Sequence, residues 1–284
     1  MAVSNSLTKA NQKMGMAAYL TQDAVKAQIN NIVGGKNGTR FITSIVSAVQ
    51  TNPALQECTN QSILSAALLG ETLNLSPSPQ LSYFYMVPFN DKNRGKVAQF
   101  QIGYKGLIQL AIRSGQYKKI NVLSIKQGEL EYFDPMNEEI KVKLMVDDWN
   151  AREKAETIGY YAMFELTNGF TKAMYWSKEQ MENHALTYSQ GYRAKKGYTF
   201  WEKAFDRMAE KTMLKQLLSR WGIMSTELMT AIDADETVIN EDGTKDYVET
   251  EEVIDVPAPE PVKEEPAAAP APAQDPAAAL FGGK

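Results

Sequence analysis

The chain of 284 residues holds one cysteine, Cys58, and one histidine, His184. A lone cysteine excludes an intramolecular disulfide and fits a reducing compartment. The pair also removes Cys/His zinc sites, which need several such ligands at fixed spacing. A Cys–His nucleophile would have to join these two residues, and each has a plainer reading, a buried thiol and a surface histidine. No window approaches the roughly 18 unbroken apolar residues of a membrane span. The opening "MAVSNSLTKANQKMG" lacks an apolar signal core, so a cytoplasmic protein without membrane contact is expected. Nucleotide loops are missing too. Gly-x4-Gly-Lys-Ser/Thr does not occur, "GGKNGT" at 34–39 has the wrong spacing, and Gly-x-Gly-x-x-Gly is absent. An NTP-driven motor or a dehydrogenase is therefore disfavoured, and no cofactor is expected.

What is present is charge, unevenly placed. The net charge of −4 conceals 14 acidic against 3 basic residues from Asp233 onward, a net of −11. The body before it carries 27 basic and 20 acidic residues, a net of +7. A basic body with an acidic tail points to a polyanion partner such as nucleic acid.

Periodicity gives an α+β chain. "TQDAVKAQINNIV", "TRFITSIVSAVQTN" and "NQSILSAALLGETLNL" read as helices, the first stopped by "GGKNG" and the second ended before Pro53. "LSYFYMVPF" and "KVAQFQIGY" flank a polar turn as a hairpin. A second hairpin, "ETIGYYAMFEL" with "FTKAMYWS", turns at Asn168-Gly169, both of which accept positive φ. Ser177 and Gln180 are spaced as a capping box. A long basic helix is expected from about Phe200 to Trp221, and a shorter one at "STELMTAID". From about residue 235 the Glu, Pro and Ala composition cannot bury enough apolar surface to fold. The expected layout is a mobile arm over 1–20, a core over 21–234 and a disordered acidic tail over 235–284.

The basic elements form one set. Lys203, Arg207, Lys211 and Lys215 recur every fourth residue, a helical stripe set opposite Trp201, Phe205, Met208 and Thr212. Upstream, "GYRAKKGYTFW" interleaves Arg193, Lys195 and Lys196 with Tyr192, Tyr198 and Phe200. Lys172 to Arg220 contains 10 basic and 5 acidic residues. Cations for phosphates with aromatics for bases suit single-strand binding. The plainer alternative is surface pairing at i,i+3, Lys203 with Asp206 and Arg207 with Glu210.

"QIGYKGLIQLAIRSGQ" at 101–116 adds Gly103-Tyr104-Lys105-Gly106, literally the Gly-x-x-Gly with which KH domains clamp a backbone. Arg113 lies about two turns along, with Lys118 and Lys119 beyond. Glycines let amides approach a phosphate and a helix N-terminus favours an anion, but a tight turn would demand the same glycines. An alternative enzyme reading is a metal-dependent nuclease on Asp134, Glu139 and Lys141, an acidic residue with Glu-x-Lys.

Three stretches, "SILSAALLGETLNLSPSPQLSYFYMVPF", "QFQIGYKGLIQLAIRSGQY" and "FDRMAEKTMLKQLLSRWG", in this order and spacing resemble the RecT family of phage and prophage single-strand annealing recombinases. The resemblance covers roughly 20–232. It implies a non-enzymatic protein of the bacterial cytoplasm that binds single-stranded DNA and anneals it to its complement in homologous recombination without ATP. It also implies ring or helical-filament homo-oligomers on the annealed duplex and a 5′–3′ exonuclease partner. On that reading Lys105, Arg113, Lys172, Arg207, Lys211 and Lys215 meet phosphates in a groove shared between protomers. Arg193, Lys195 and Lys196 then guide the second strand, and Tyr104 and Tyr192 stack or wedge against bases. The acidic tail serves solubility, competes with DNA, or docks its tip "AALFGGK" on a host single-strand-binding protein.

Overall fold

The computed structural model describes residues 14–91, 94–197, 199–235, 237–239, 245–247 and 250–253. Helices α1 (Met16–Leu20), α2 (Asp23–Val33), α3 (Gly35–Thr51) and α4 (Asn60–Thr72) come first. The "GGKNG" stop is narrower than the sequence suggests. Gly34 alone, at φ +80°, ends α2 through its amide on the Asn30 carbonyl, and α3 starts at the next residue. Part of the expected N-terminal arm belongs to the core, since Met16, Tyr19 and Leu20 are buried; residues 1–13 lie outside the described residues.

Strands β1 (Phe84–Asp91) and β2 (Gly95–Ile102) form the first expected hairpin, paired over their whole length. They centre a five-stranded antiparallel sheet in the order β10-β1-β2-β8-β9. Its outer members are β8 (Thr237–Ile239), β9 (Lys245–Tyr247) and β10 (Thr250–Val253). The boundary expected at residue 234 therefore falls ahead of three paired strands. The rest of the expected tail, 254–284, lies outside the described residues.

Helix α5 (Tyr104–Arg113) follows β2 and leads into β3 (Tyr117–Lys126). Strand β3 pairs with β6 (Thr157–Leu166), and β6 with β7 (Thr171–Ser177), as a second antiparallel sheet. The β6–β7 turn corrects one expectation. Leu166 N–H donates to the Phe170 carbonyl across three loop residues, and only Gly169, at φ +90°, is left-handed. A three-residue loop needs one such position rather than two. Strands β4 (Leu130–Asp134) and β5 (Glu139–Val142) form a separate ribbon, followed by the short α6 (Trp149–Lys154).

Helix α7 (Lys178–Tyr188) begins at the expected capping box, with Ser177 and Gln180 bonded in both directions. After α8 (Gln190–Arg193), the expected long helix is two. Helix α9 (Phe200–Lys203) and α10 (Phe205–Trp221) meet at Ala204, whose φ −147° and ψ 57° leave the helical region. Helix α11 (Thr226–Ala234) completes the series. There are two main cores. One joins α1–α5 and α11 with the first sheet, and the other joins β6, α7, α9 and α10. Helix α10 is their shared wall, giving Leu214 and Leu218 to the first and Ala209, Met213 and Leu217 to the second.

Candidate nucleic-acid interface

Strand β2 delivers the chain to Gly103, the residue before α5, and the neighbouring backbone explains both glycines of the Gly-x-x-Gly. Gly103 N–H donates to the Tyr83 carbonyl at 2.8 Å. A Cβ at Gly103 would stand 2.3 Å from the Ser82 oxygen, and one at Gly106 2.0 Å from the Tyr83 oxygen. The close approach these glycines permit is thus to the 82–83 backbone of the same chain. Lys105 is exposed on the first turn of α5. It borders a shallow cleft of about 260 Å³ lined also by Gln80, Leu81, Tyr83, Ile108 and Gln109. Tyr104 turns inward against the first core. Burial, with Glu210 nearby, pushes its phenol above the ordinary range. Arg113 is exposed, yet its guanidinium donates to the Leu73 carbonyl at 2.6 Å and the Asn74 carbonyl at 3.3 Å. It caps the C-terminal end of α4, where carbonyls lack helical partners and a cation is favoured.

The cation stripe divides. Lys203 and Arg207 are exposed. Lys211 and Lys215 are half-buried and turn onto the fully buried carboxylate of Asp235, Lys215 in direct contact and Lys211 at 3.9 Å. Asp235 also accepts the Ile102 amide at 3.0 Å, tying α10, the end of α11 and β2 together. Sequence reasoning missed this carboxylate because it assigned Asp235 to the tail. A local signal for the division existed: Leu214 and Leu218 lie seven residues after Arg207 and Lys211, on nearly the same helical face. That face leaves solvent for the first core as the helix proceeds.

The expected surface pairs do not form from Asp206. Its carboxylate accepts from Tyr160 at 2.6 Å and Thr157 at 2.9 Å, with Lys126 at 3.8 Å. Glu210 is half-buried beside it. Burial and the Asp206 charge push the Glu210 carboxyl above its ordinary range, against the Ser124 backbone, Arg207 and Lys126. A carboxyl raised on folding holds its proton longer in the native state, so stability falls as pH rises through that raised value. Glu210→Gln should therefore raise the thermal midpoint at pH 7, with the gain vanishing below about pH 4, where the unfolded carboxyl is also protonated. Equal midpoints at pH 7 would contradict this.

The 189–197 loop keeps its cations outside and its tyrosine inside. Ser189 caps α8 through the Tyr192 amide. Arg193, Lys195 and Lys196 are exposed, Lys195 at φ +49°. The Tyr192 ring packs against Trp201 and Phe205 at 6.2 and 6.0 Å between centroids. Tyr198 lies outside the described residues. Lys172 is buried, paired with Glu138, and its ammonium sits 3.5 Å from the centre of the Trp221 ring. Of the expected contacts, Lys105, Arg193, Lys195, Lys196 and Arg207 therefore stand exposed. Arg113, Lys172, Lys211 and Lys215 are engaged with other parts of the chain, and Tyr104 and Tyr192 are packed.

The model of the RecT family matches residues 39–253, a span that includes every basic residue just placed and the strands beyond residue 234. The chain belongs to the RecT family. It is 40% identical over 241 residues to the uncharacterized protein YqaK of Bacillus subtilis, covering 84% of this chain and 78% of that one. It is 26% identical over 236 residues to Protein RecT of Escherichia coli, covering 82% and 84%.

In this RecT-family chain the alternative acidic set has other work. Asp134 and Glu139 are cross-strand partners in the β4–β5 ribbon. Asp134 accepts from Asn137 Nδ2 at 2.7 Å and the Met136 amide at 2.8 Å, bonds that hold its carboxyl below the ordinary range and close the turn. Lys141 lies over the Tyr132 ring. Among the described residues no three His, Cys, Asp or Glu gather as a metal site would require. Cys58 is buried, its thiol pushed up to about 12 by loss of solvent, which suppresses the reactive thiolate. No helix of the described residues is long and apolar enough to cross a membrane.

Proposed function

We propose that this protein binds single-stranded DNA through its phosphates and anneals it to a complementary strand in recombination, without ATP and without cutting it. The observation that carries the reading is Lys105. It stands exposed at a helix N-terminus beside a shallow cleft, with no ion-pair partner among the described residues, in a chain of the RecT family. A cation and a helix N-terminus both favour a phosphate there. Arg193, Lys195, Lys196 and Arg207 supply further exposed charge. Contact confined to the backbone leaves base edges open for pairing, which annealing requires. A homo-oligomer, ring or filament, lets successive protomers repeat that contact along one strand. Engaged cations such as Lys211 and Lys215 then position the fold, and Lys105 and Arg207 meet the DNA.

Two complementary oligonucleotides, mixed with the protein in the absence of ATP and with or without Mg²⁺, should yield duplex with intact strands. Shortened strands would instead support the nuclease reading. Affinity for single strands should fall linearly on a log–log plot against salt. Lys105→Ala should weaken binding several-fold and flatten that slope by about 0.7 while leaving the thermal midpoint in place. An unchanged slope would remove Lys105 from the interface.

A further inference from the structure

We infer that Tyr188, backed by His184 and Trp176, is a stacking site for the bases of single-stranded DNA, which rests on the DNA-binding reading above and adds a base contact to it. Trp176 comes from the end of β7. His184 and Tyr188 stand four residues apart on α7, on one helical face. The Trp176 and His184 rings lie 5.4 Å apart between centroids, and those of His184 and Tyr188 4.5 Å apart. Three rings thus form a ladder running from the protein into solvent. Tyr188 ends it at 75% exposure. Tyrosine is an amphipathic ring that packs inward at Tyr192 and Tyr160, whereas the Tyr188 ring stands open to another ring.

Cations lie near the ladder. The Arg193 guanidinium reaches the Leu186 carbonyl at 3.5 Å, which places it at the last turn of α7, the turn that carries Tyr188. On the inner side, Lys215 and Arg220 of α10 act on His184, and after burial they help hold its imidazole below the ordinary range. The middle rung is then an uncharged ring at neutral pH. Lys215 is engaged by Asp235, while Arg220 is exposed. An exposed ring with one guanidinium at its helix turn and another near the rung behind it fits a nucleotide, whose base has a flat face and whose phosphates are anionic. Stacking uses the face of a base and leaves its pairing edge free, so the contact is compatible with annealing.

Fluorescence anisotropy with an oligothymidylate and an abasic oligonucleotide of equal length separates base from backbone contact. The wild type should bind the oligothymidylate more tightly. Tyr188→Ala should lose on the order of ten-fold on the oligothymidylate and little on the abasic strand, and Tyr188→Phe should retain the wild-type preference. Because the side chain is mostly exposed, circular dichroism of the variants should match the wild type. Wild-type affinity of Tyr188→Ala for both strands, or a wild type that does not distinguish them, would overturn the stacking site while leaving backbone binding intact. A wild type that binds neither strand would overturn the DNA-binding reading and this site with it.

Discussion

Asp235→Ala should lower the stability of the fold by about 3–5 kcal/mol, the range found when one partner of a buried charge pair is removed. In a domain of this size that corresponds to a thermal midpoint roughly 6–20 °C lower. Three losses combine. Lys215 loses its contact, Lys211 its neighbour at 3.9 Å, and the buried Ile102 amide its acceptor at 3.0 Å. The two ammonium groups are 28% and 16% exposed by side chain, too little to be fully rehydrated without moving. Asp235→Asn separates the terms: its amide oxygen can still accept from Ile102, so it should fall between wild type and Ala. Urea denaturation of all three proteins would measure the order. A wild-type midpoint for Asp235→Ala would mean that Asp235 does not join α10, α11 and β2 as the geometry indicates. The same variants bear on DNA. If Lys211 and Lys215 met phosphates directly, Asp235→Asn would free them and tighten binding well below the melting temperature. On the present reading it leaves affinity near wild type.

What the sequence made legible was local. The β1–β2 hairpin, α4 and the Ser177–Gln180 capping box depend on spacing within a few residues, and each formed as expected. The α+β class with antiparallel sheets followed from the same patterns. The destinations of long side chains were not legible. Arg113 has the spacing of a surface cation, but the carbonyls it caps lie 39 and 40 residues away. Lys172 sits in an alternating strand, yet Glu138 and Trp221 come from other elements. Helix α10 misled for a related reason. It packs on two cores, so its apolar residues cover two faces and no single polar face emerges from their spacing. A polar stripe on such a helix is only partly a solvent stripe. The exposed remainder, Lys105, Arg207 and the 193–196 loop, comes from separate elements. Lys105 and the loop were readable as cations beside a helix start or turn, whereas Arg207 was expected inside one continuous helix whose break at Ala204 the spacing did not show.

Gly106→Ala gives a test in which two physical effects predict opposite signs. Helix propensity alone favours alanine over glycine inside a helix by about 1 kcal/mol. Gly106 lies in the first turn of α5, so that effect would leave the protein slightly more stable. Packing predicts the reverse. The added Cβ would stand 2.0 Å from the Tyr83 carbonyl oxygen, 2.7 Å from Ile102 Cδ1 and 3.0 Å from the Tyr83 carbonyl carbon. Two of those atoms are backbone, held in place because the Tyr83 carbonyl accepts the Gly103 amide. Relief requires α5 to move away from the 82–83 segment by more than an ångström, losing that hydrogen bond and opening the contact around Leu107 and Leu110. Overpacking of this kind costs about 1–3 kcal/mol where side chains can adjust, and a fixed carbonyl places the cost at or above the top of that range. Gly115→Ala is the matched control. Gly115 sits at φ +69° with no atom within 4 Å of the built Cβ, so its cost is backbone strain alone, about 1 kcal/mol. The expected order of stability is wild type, then Gly115→Ala, then Gly106→Ala, read from urea midpoints. A Gly106→Ala protein as stable as the wild type that nevertheless failed to bind DNA would reverse the assignment. It would place the glycine's role in approach to a phosphate, with the Tyr83 contact incidental.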